Sequence, residues 1–427
     1  QGGRDIQGFA KSPRVNIVAL ADVDDRQSAK TRESFPKASY YHDFREMLDK
    51  EKNNIDACSV STPDHTHAVA TMAAMQLGKH VYTQKPLTHD IWEARMLTLA
   101  AKKYKVVTQM GNQGGSGKGV RRMKELYDAG LIGDVYKVES WTNRPVWPQG
   151  IAPLTGVYSV PKELNWDLWL GTAPMMDYNP GYHPVNWRGW WRFGTGALGD
   201  MACHIMDPIY RILPIDFPES VECSVANSWS DFFKEIDHSE SAPVASAIHL
   251  SYPRKDGKGK IKVSWYDGGI MPERPEQLEP GEPFGSPDGG VLFIGTKGML
   301  LADCYGANPR LLPLSREEEA RAVPETIRRV PEGHYLQWVN ACIAGYGNAE
   351  TSSDFDYARP FAESILIANL AIRSHGIKNP SAKRGEDRYP GRQRLLWDAQ
   401  NMRITNFEAA IQFVKRHYRM PWDLSLG

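Results

Sequence analysis

The chain has 427 residues, of which 41% are hydrophobic and 24% are charged, and its formal net charge is zero. This composition is typical of a globular protein, and the length predicts two domains rather than one. The zero net charge gives no electrostatic basis for nucleic-acid binding. No apolar run approaches the roughly 20 residues that a membrane span needs.

The 5 cysteines are scattered, and no two of them are spaced as Cys-x-x-Cys. They predict neither a disulfide framework nor a zinc site, and they leave the redox compartment open. The 13 tryptophans and 18 tyrosines are more informative. Aromatic faces are typical of sugar-binding clefts, although most aromatic side chains serve as core.

The chain opens with two glycines, a predicted helix over residues 4–11 and a β-branched run over residues 15–22 that is closed by an acid. Such a run is typical of a buried parallel strand. Gly2 and Gly3 precede the helix, and Asp22 lies about twenty residues beyond them, which is the spacing of the dinucleotide-binding (Rossmann) fingerprint. In that fingerprint the glycines admit the pyrophosphate and the acid binds the adenosine ribose.

Only the end of the glycine motif is present, and the strand that precedes it in a Rossmann sheet is missing from the sequence. Without that strand the neighbouring strands would expose their edges. We therefore expect an upstream segment of about ten or more residues, with any signal peptide before it. The alternative is a loop that carries two glycines by chance.

Strand and helix patterns then alternate up to residue 112, which predicts a parallel, doubly wound sheet. Three polar loops, "STPDHTH", "TQKPLTHD" and "QMGNQGG", follow predicted strands. Ligands of such sheets bind at the carboxyl ends of the strands, so these loops predict a shared site.

Each loop also has a structural interpretation. His65 and His67 form an incomplete metal-ligand set, so we favour helix capping or cofactor contacts and predict no metal. Lys85 follows a strand and precedes a proline, and its amine can extend over the cleft or lie on the surface. Asn112 and Gln113 could simply close a turn.

The segments "GGRD", "STPDHTH", "YTQKPLT" and "GALGDMACHIMD" together resemble the glucose–fructose oxidoreductase / inositol dehydrogenase family, Gfo/Idh/MocA. The order and spacing match over nearly the whole chain, and "WDLWLGTAP" with "YHPVNWRGWWRFGTGALGD" is similar to a large bacterial subgroup. The resemblance implies an N-terminal Rossmann domain that binds NAD or NADP. It also implies a C-terminal α+β domain whose large, open, mostly antiparallel sheet mediates assembly into a homodimer or homotetramer.

We place the two domains at residues 1–130 and 131–427, with a C-terminal segment that could return to the first domain. Within the family's Glu-Lys-Pro motif, Lys85 and Pro86 match, whereas Gln84 replaces the acid. Gln84 can still bond a ribose hydroxyl. The predicted cofactor contacts are Gly2, Gly3, Arg4, Asp22, Thr62, Pro63, His65, His67, Gln84, Lys85, Asn112 and Gln113.

Asp200 and His204 lie four residues apart, which places them on one face of a helix. The resemblance implies that this pair faces the nicotinamide ring. His204 would take the hydroxyl proton, Asp200 would orient it or bind a substrate hydroxyl, and Lys85 would polarise the same oxygen. The alternative is a structural helix with a capping acid and a core histidine.

Tryptophan and arginine are concentrated between residues 140 and 192. They suit stacking on a pyranose and bonding to its hydroxyls or acids, although each could equally serve in packing. The candidate substrate contacts are Arg144, Trp147, His183, Trp187 and Arg188.

The sequence therefore predicts an NAD(P)-dependent oxidoreductase acting on a sugar, polyol or glycoside. NAD is favoured over NADP because the Asp22 carboxylate would repel a 2′-phosphate. Two alternatives stay open, an NAD-dependent glycoside-cleaving enzyme and a non-enzymatic sugar or nucleotide sensor. The compartment is not determined by the residues, and similar proteins of the subgroup favour an exported, periplasmic one.

Overall fold

The computed structural model describes residues 1–383 and 386–426. Its α-helices are α1 (Gly2–Phe9), α2 (Asp25–Ser34), α3 (Phe44–Glu51), α4 (Asp64–Gln76), α5 (Ile91–Tyr104), α6 (Lys118–Asp128), α7 (Trp166–Leu170), α8 (Gly196–Ile205), α9 (Asp207–Ile212), α10 (Glu317–Ala322), α11 (Gly333–Ala344) and α12 (Phe355–His375). Its strands are β1 (Ala19–Ala21), β2 (Ser39–Tyr41), β3 (Ala57–Val60), β4 (His80–Thr83), β5 (Thr108–Met110), β6 (Val135–Thr142), β7 (Ser220–Val225), β8 (Trp229–Asp231), β9 (Lys234–Glu235), β10 (Ser246–Pro253), β11 (Lys260–Tyr266), β12 (Gly289–Gly295), β13 (Met299–Asp303), β14 (Arg310–Leu312), β15 (Leu395–Asp398) and β16 (Arg403–Ile404).

The first part of the chain is a parallel α/β domain, as its alternating pattern predicts. Strands β3, β4 and β5 form one parallel sheet, and β1 and β2 form a separate parallel pair. Aspartates begin three of the intervening helices, because Asp24, Asp43 and Asp90 each accept a backbone N–H of the first turn. Residues 15–18, predicted as the start of a strand, lie outside β1 because its partner β2 offers only three residues for pairing.

Strands β1 and β3 are not hydrogen-bonded to each other. Residues of both strands instead line the same cavity, which continues between them. The expectation of a strand upstream of Gln1 stays a prediction.

The second part is built on a sheet of nine strands in the order β14-β13-β12-β6-β11-β10-β7-β15-β16. Every pair is antiparallel except β6 with β11, so the large sheet is mixed and mostly antiparallel. In β10 the buried Ile248 and Leu250 alternate with the exposed His249, as a half-buried strand requires. Helix α12 packs against this sheet at β7 and against α5 of the first domain.

The chain beyond α12 returns to the first domain. Arg416 pairs with the buried Glu93 of α5 at 2.7 Å, and Trp422 lies 6.0 Å from the ring of Phe44. Farther on, the backbone oxygen of Ser425 accepts a hydrogen bond from the Gln76 amide. The last residues therefore complete the packing of α3, α4 and α5.

Residues 267–288, between β11 and β12, form a long connection without helix or strand, as the glycine- and proline-rich sequence predicts. Across residues 1–383 and 386–426, no helix combines the length and the apolar character that crossing a bilayer requires.

Candidate active site

A cavity of about 1550 Å³ lies where the carboxyl ends of β3 and β4 meet helix α8. Most of the residues singled out from the sequence line it: Gly2, Gly3, Arg4, Asp22, Thr62, Pro63, Gln84, Lys85, Gln113, Arg144, Trp147, His183, Trp187, Arg188, Asp200 and His204.

Lys85 and Asp200 form an ion pair across this cavity. The Lys85 Nζ atom donates to Asp200 Oδ1 at 2.8 Å and also to the backbone oxygen of Asp200. Both side chains are only about 15% exposed. Gly199 lets the first turn of α8 close tightly, since a Cβ at this position would lie 1.9 Å from Thr195 Oγ1. The pair thus connects the end of β4 to the start of α8.

The Asp200 carboxyl is held in its charged form. Burial alone would raise its pKa, but the positive charges of Lys85 and Arg188 outweigh burial and lower the pKa to about 2. The Nε atom of Arg188 lies 3.5 Å from Asp200 Oδ1. Asp200 is therefore a fixed negative charge at neutral pH.

His204 lies one turn beyond Asp200 on the same face of α8. Burial, followed by the positive charge of Lys85, lowers the pKa of this imidazole well below its usual 6.5. Its Nδ1 atom has no hydrogen-bond partner in the described part of the chain. A neutral, buried imidazole with a free nitrogen is suited to accept a proton.

Arginine and tryptophan form the wall beside this pair. The Arg188 guanidinium lies 4.4 Å from the centre of the Trp187 ring and 5.9 Å from that of Trp147. Arg144 Nη1 donates to Asp288 Oδ1 at 2.9 Å. Within the described residues, Arg188 makes one long hydrogen bond, to the backbone oxygen of Val185 at 3.4 Å, besides its contact with Asp200. Its other N–H groups can therefore donate to hydroxyl or carboxylate oxygens of a ligand.

The fifth predicted substrate contact, His183, has a different environment. Its Nε2 atom lies 3.5 Å from Asp24 Oδ2, and both residues are buried. Asp24 comes two residues after Asp22, so His183 lies beside the segment predicted to bind the adenosine ribose. Its polar contact does not support a role at the substrate.

Asp22 marks the cofactor end of the cavity. Burial, with further contributions from Asp24 and Asp25, raises the pKa of its carboxyl to about 6. Among the described residues its carboxylate makes a single hydrogen bond, from the backbone N–H of Asp24 at 3.0 Å. The remaining oxygen is free to accept ribose hydroxyls. At Gly2, which begins α1, an added Cβ would reach Ser61 at 3.4 Å and narrow the approach to the helix N-terminus. These residues fit an adenine dinucleotide.

Three predicted cofactor contacts point elsewhere. His65 Nε2 bonds the backbone oxygen of Trp169 at 3.0 Å. His67 places its two ring nitrogens 2.8 and 2.9 Å from backbone oxygens of Pro86 and Thr62. The Asn112 amide donates to Asp207 at 2.6 Å. All three are buried and connect loops, so we remove them from the proposed cofactor set.

Most of the tryptophan-rich segment serves in packing. The rings of Trp166 and Trp169 stack at 4.7 Å, and Trp190 packs against Tyr182 at 5.0 Å. These residues form one buried cluster, against which Val23 of the first domain packs. Trp147, Trp169 and Trp187 all line the cavity. Trp147 and Trp187 lie beside Arg188 and retain the proposed stacking role.

Two residues at the site were not predicted from the sequence. The Tyr305 ring lies 4.5 Å from that of His204 and lines the cavity, and Asp5 is buried beneath Gln84. Tyr305 follows a strand end more than a hundred residues later in the chain, and no spacing rule relates it to His204. No group of three or more potential metal-ligating side chains occurs within the described residues.

Comparison with known proteins agrees with this geometry. A family described as "Oxidoreductase family, NAD-binding Rossmann fold" matches residues 2–112, and its companion, "Oxidoreductase family, C-terminal alpha/beta domain", matches residues 116–236. The chain therefore belongs to the Gfo/Idh/MocA oxidoreductase family, as the motifs indicate.

The chain is 24% identical over 276 residues to scyllo-inositol 2-dehydrogenase (NADP(+)) IolW of Bacillus subtilis, covering 62% of this chain and 63% of that protein. It is also 24% identical over 222 residues to levoglucosan dehydrogenase of Pseudarthrobacter phenanthrenivorans, covering 51% and 46% of the two chains. The chain thus spans less than two thirds of the length of these curated relatives.

Among solved structures, the WlbA dehydrogenase of Bordetella pertussis in complex with NADH and UDP-GlcNAcA is similar, with a TM-score of 0.57 and 18% identity. This similarity covers 88% of the present chain and 94% of that one. At this identity the match shows the fold, and it confirms a Rossmann domain joined to a C-terminal α/β domain.

Proposed function

We propose that this protein is an NAD-dependent oxidoreductase that transfers a hydride between the nicotinamide and a secondary alcohol of a sugar, polyol or glycoside. The observation that carries the proposal is the contact of Lys85 with Asp200, one helical turn from the neutral His204, in a cavity that also holds Asp22. When bound, the nicotinamide cofactor supplies the hydride acceptor.

His204 has the role of the base. Oxidation of the alcohol requires the hydroxyl proton to leave as the hydride leaves carbon, and a neutral imidazole can accept that proton. The lowered pKa keeps His204 unprotonated near pH 7. In the reverse direction the imidazolium returns the proton to the carbonyl oxygen.

Lys85 has the role of the electrophile. Two of its three N–H groups bond Asp200, and the third remains to donate to the substrate oxygen. A positive charge at that oxygen stabilises the negative charge that develops as the proton departs. Asp200 holds the ammonium in place.

The cofactor preference follows from Asp22. Its free carboxylate oxygen can accept the hydroxyls of an adenosine ribose, whereas a 2′-phosphate would meet a second negative charge in a buried site. We therefore propose NAD over NADP, although the related IolW protein carries NADP(+) in its name.

The test uses the protein expressed from its complete gene, NAD and a panel of neutral monosaccharides, uronates, polyols and aryl glycosides. The measured signal is the near-ultraviolet absorbance of NADH, with His204→Ala as the control. NADH formation with one substrate class, lost in the control, supports the proposal. Aglycone release without NADH accumulation replaces it with redox-assisted cleavage. Sugar binding without either reaction replaces it with a sensor.

A further inference from the structure

Asp5, on the first turn of α1, is completely buried and has a crowded polar environment. Its carboxylate accepts hydrogen bonds from Ser61 Oγ at 2.7 Å, from Gln84 Nε2 at 2.9 Å and from the Tyr335 hydroxyl at 2.9 Å. No ion pair to Asp5 occurs within residues 1–383 and 386–426. The Gln1 side-chain amide adds a fourth hydrogen bond to this carboxylate at 2.8 Å. A buried carboxylate of this kind depends on its hydrogen-bond donors.

The donors come from different elements that meet at the cofactor edge of the sheet. Ser61 follows β3, Gln84 follows β4, and Tyr335 lies on α11. Asp5 itself belongs to the helix whose first residues are the proposed pyrophosphate contacts Gly2 and Gly3. The carboxylate thus fixes α1 relative to two strand ends.

The contact with Gln84 has a directional consequence. Because Gln84 Nε2 faces Asp5, its Oε1 atom faces the other way and accepts the backbone N–H of Lys85 at 3.3 Å. The amide is also confined by Gly111, where an added Cβ would lie 2.7 Å from Gln84 Oε1. Gln84 is therefore clamped between Asp5, Gly111 and the backbone of Lys85.

We propose that Asp5 is a positioning residue for Lys85, that it acts through the side chain of Gln84, and that it makes an amide necessary at position 84. This inference rests on the proposed role of Lys85. A glutamate at position 84 would place its carboxylate about as close to Asp5 as the Gln84 amide now lies, at 2.9 Å. Two carboxylates so close must share one proton. The glutamine instead donates a hydrogen bond to Asp5 and accepts one from the backbone N–H of Lys85, which orients that residue.

The ionisable groups around Asp5 include two tyrosines and the α-amino group of Gln1, whose pKa is lowered by burial. Burial raises the pKa of Tyr335 to about 12 and that of Tyr82 well above its usual range. The amine of Lys85 is directed at Asp200. A pH effect that appears in Gln84→Glu and is absent from the wild-type protein would therefore arise from the new carboxyl beside Asp5.

The experiment is a reciprocal exchange that compares Gln84→Glu, Asp5→Asn and the double variant Asp5→Asn/Gln84→Glu. Measurements are kcat and KM against pH, NAD affinity from quenching of tryptophan fluorescence, and thermal unfolding against pH. We expect Gln84→Glu to lower kcat about 10- to 100-fold at pH 8, with partial recovery toward pH 5.5 as the pair shares a proton. In the double variant, the asparagine donates to the glutamate, so kcat returns to within about fivefold of wild type and the pH dependence disappears.

Tyr335→Phe is the matched control, because it removes one hydrogen bond to Asp5 without touching Gln84. It should lower thermal stability and leave the pH dependence of kcat unchanged. A double variant no better than Gln84→Glu in both turnover and unfolding overturns the inference. So does an Asp5→Asn variant that loses stability while kcat is unchanged, because Asp5 would then be purely structural.

Two further outcomes keep the inference separate from the proposed function. If Gln84→Glu does not fold, Asp5→Asn alone decides, and it must lower kcat about tenfold with little change in NAD affinity. If the wild-type protein turns over no substrate, the proposed function fails. Thermal unfolding and NAD affinity then provide the only comparison of the variants. In both measurements the double variant must lie closer to the wild-type protein than Gln84→Glu does.

Discussion

The two ends of the cavity each hold a buried aspartate, yet their pKa values move in opposite directions. Asp22, at the cofactor end, has no cation in hydrogen-bond contact, and burial raises its pKa to about 6. Asp200, at the reaction end, is equally removed from water, but Lys85 and Arg188 lower its pKa to about 2. Burial alone therefore does not set the charge of either residue.

This difference corresponds to two kinds of task. A carboxylate that is stabilised only weakly can gain from ligand hydroxyls, so Asp22 suits reversible binding. A carboxylate that is already paired gains little from a further ligand, and Asp200 instead holds the Lys85 amine in one position. The predictions below test each end separately.

The largest effect is expected for Lys85→Ala. The change removes the proposed electrophile and leaves Asp200 with Arg188 as its remaining cation, so kcat should fall by about a thousandfold. Lys85→Arg, which keeps the charge, is the matched comparison and should retain more activity. Steady-state kinetics would refute the assignment if Lys85→Ala lost less than tenfold.

His204→Asn tests the base at the same end. We expect kcat to fall about a hundredfold with little change in KM, because the proton acceptor is lost while binding is kept. The lowered pKa of His204 also predicts that wild-type kcat/KM shows no inflection near pH 6.5. An inflection there that vanishes in the variant would mean that the imidazole titrates normally.

Asp22→Asn tests the cofactor end. The ionised carboxylate is the stronger acceptor for ribose hydroxyls, so wild-type NAD affinity should rise as pH increases through about 6. In the variant we expect NAD to bind about tenfold more weakly than in the wild-type protein at pH 8, and about equally at pH 5. We also expect its preference for NAD over NADP to be smaller. Isothermal titration of both nucleotides at the two pH values measures this. Equal losses at pH 5 and pH 8 would contradict it.

The smallest effect concerns stability without cofactor. A carboxyl whose folded pKa is raised from 3.8 to about 6 destabilises the fold increasingly as pH rises between these values, and fully above the upper one. After allowance for partial exposure, Asp22→Asn should stabilise the protein by about 1–2 kcal/mol at pH 8 and by almost nothing at pH 4. Urea unfolding at both pH values provides the check, and a gain independent of pH would exclude a charge effect.

The sequence predicts the parallel domain, the large second sheet and the Asp200–His204 helix well, because these depend on local periodicity and on motifs. It predicts Lys85 and Asp200 separately, but their contact spans 115 positions and depends on how the domains pack. His65, His67 and Asn112 show the limit most clearly. In the sequence, a polar residue at the end of a strand gives the same signal whether its side chain contacts a ligand or a backbone oxygen.

Gln84 shows a second limit. The family motif carries an acid there, and from the sequence alone its loss puts the motif in doubt. The structure shows a carboxylate in contact with the same position, supplied by Asp5. Because 79 residues separate the two, no local pattern relates them.

The return of the C-terminal segment to α5 has a consequence for synthesis in the cell. Glu93 is completely buried, and its partner Arg416 is made 323 residues later. At about 5–20 residues per second, the ribosome needs roughly 15–65 seconds to cover that distance. During this interval the nascent first domain carries an apolar surface and an acid that nothing yet covers. We therefore expect the first domain to leave this surface exposed until Arg416 has been translated.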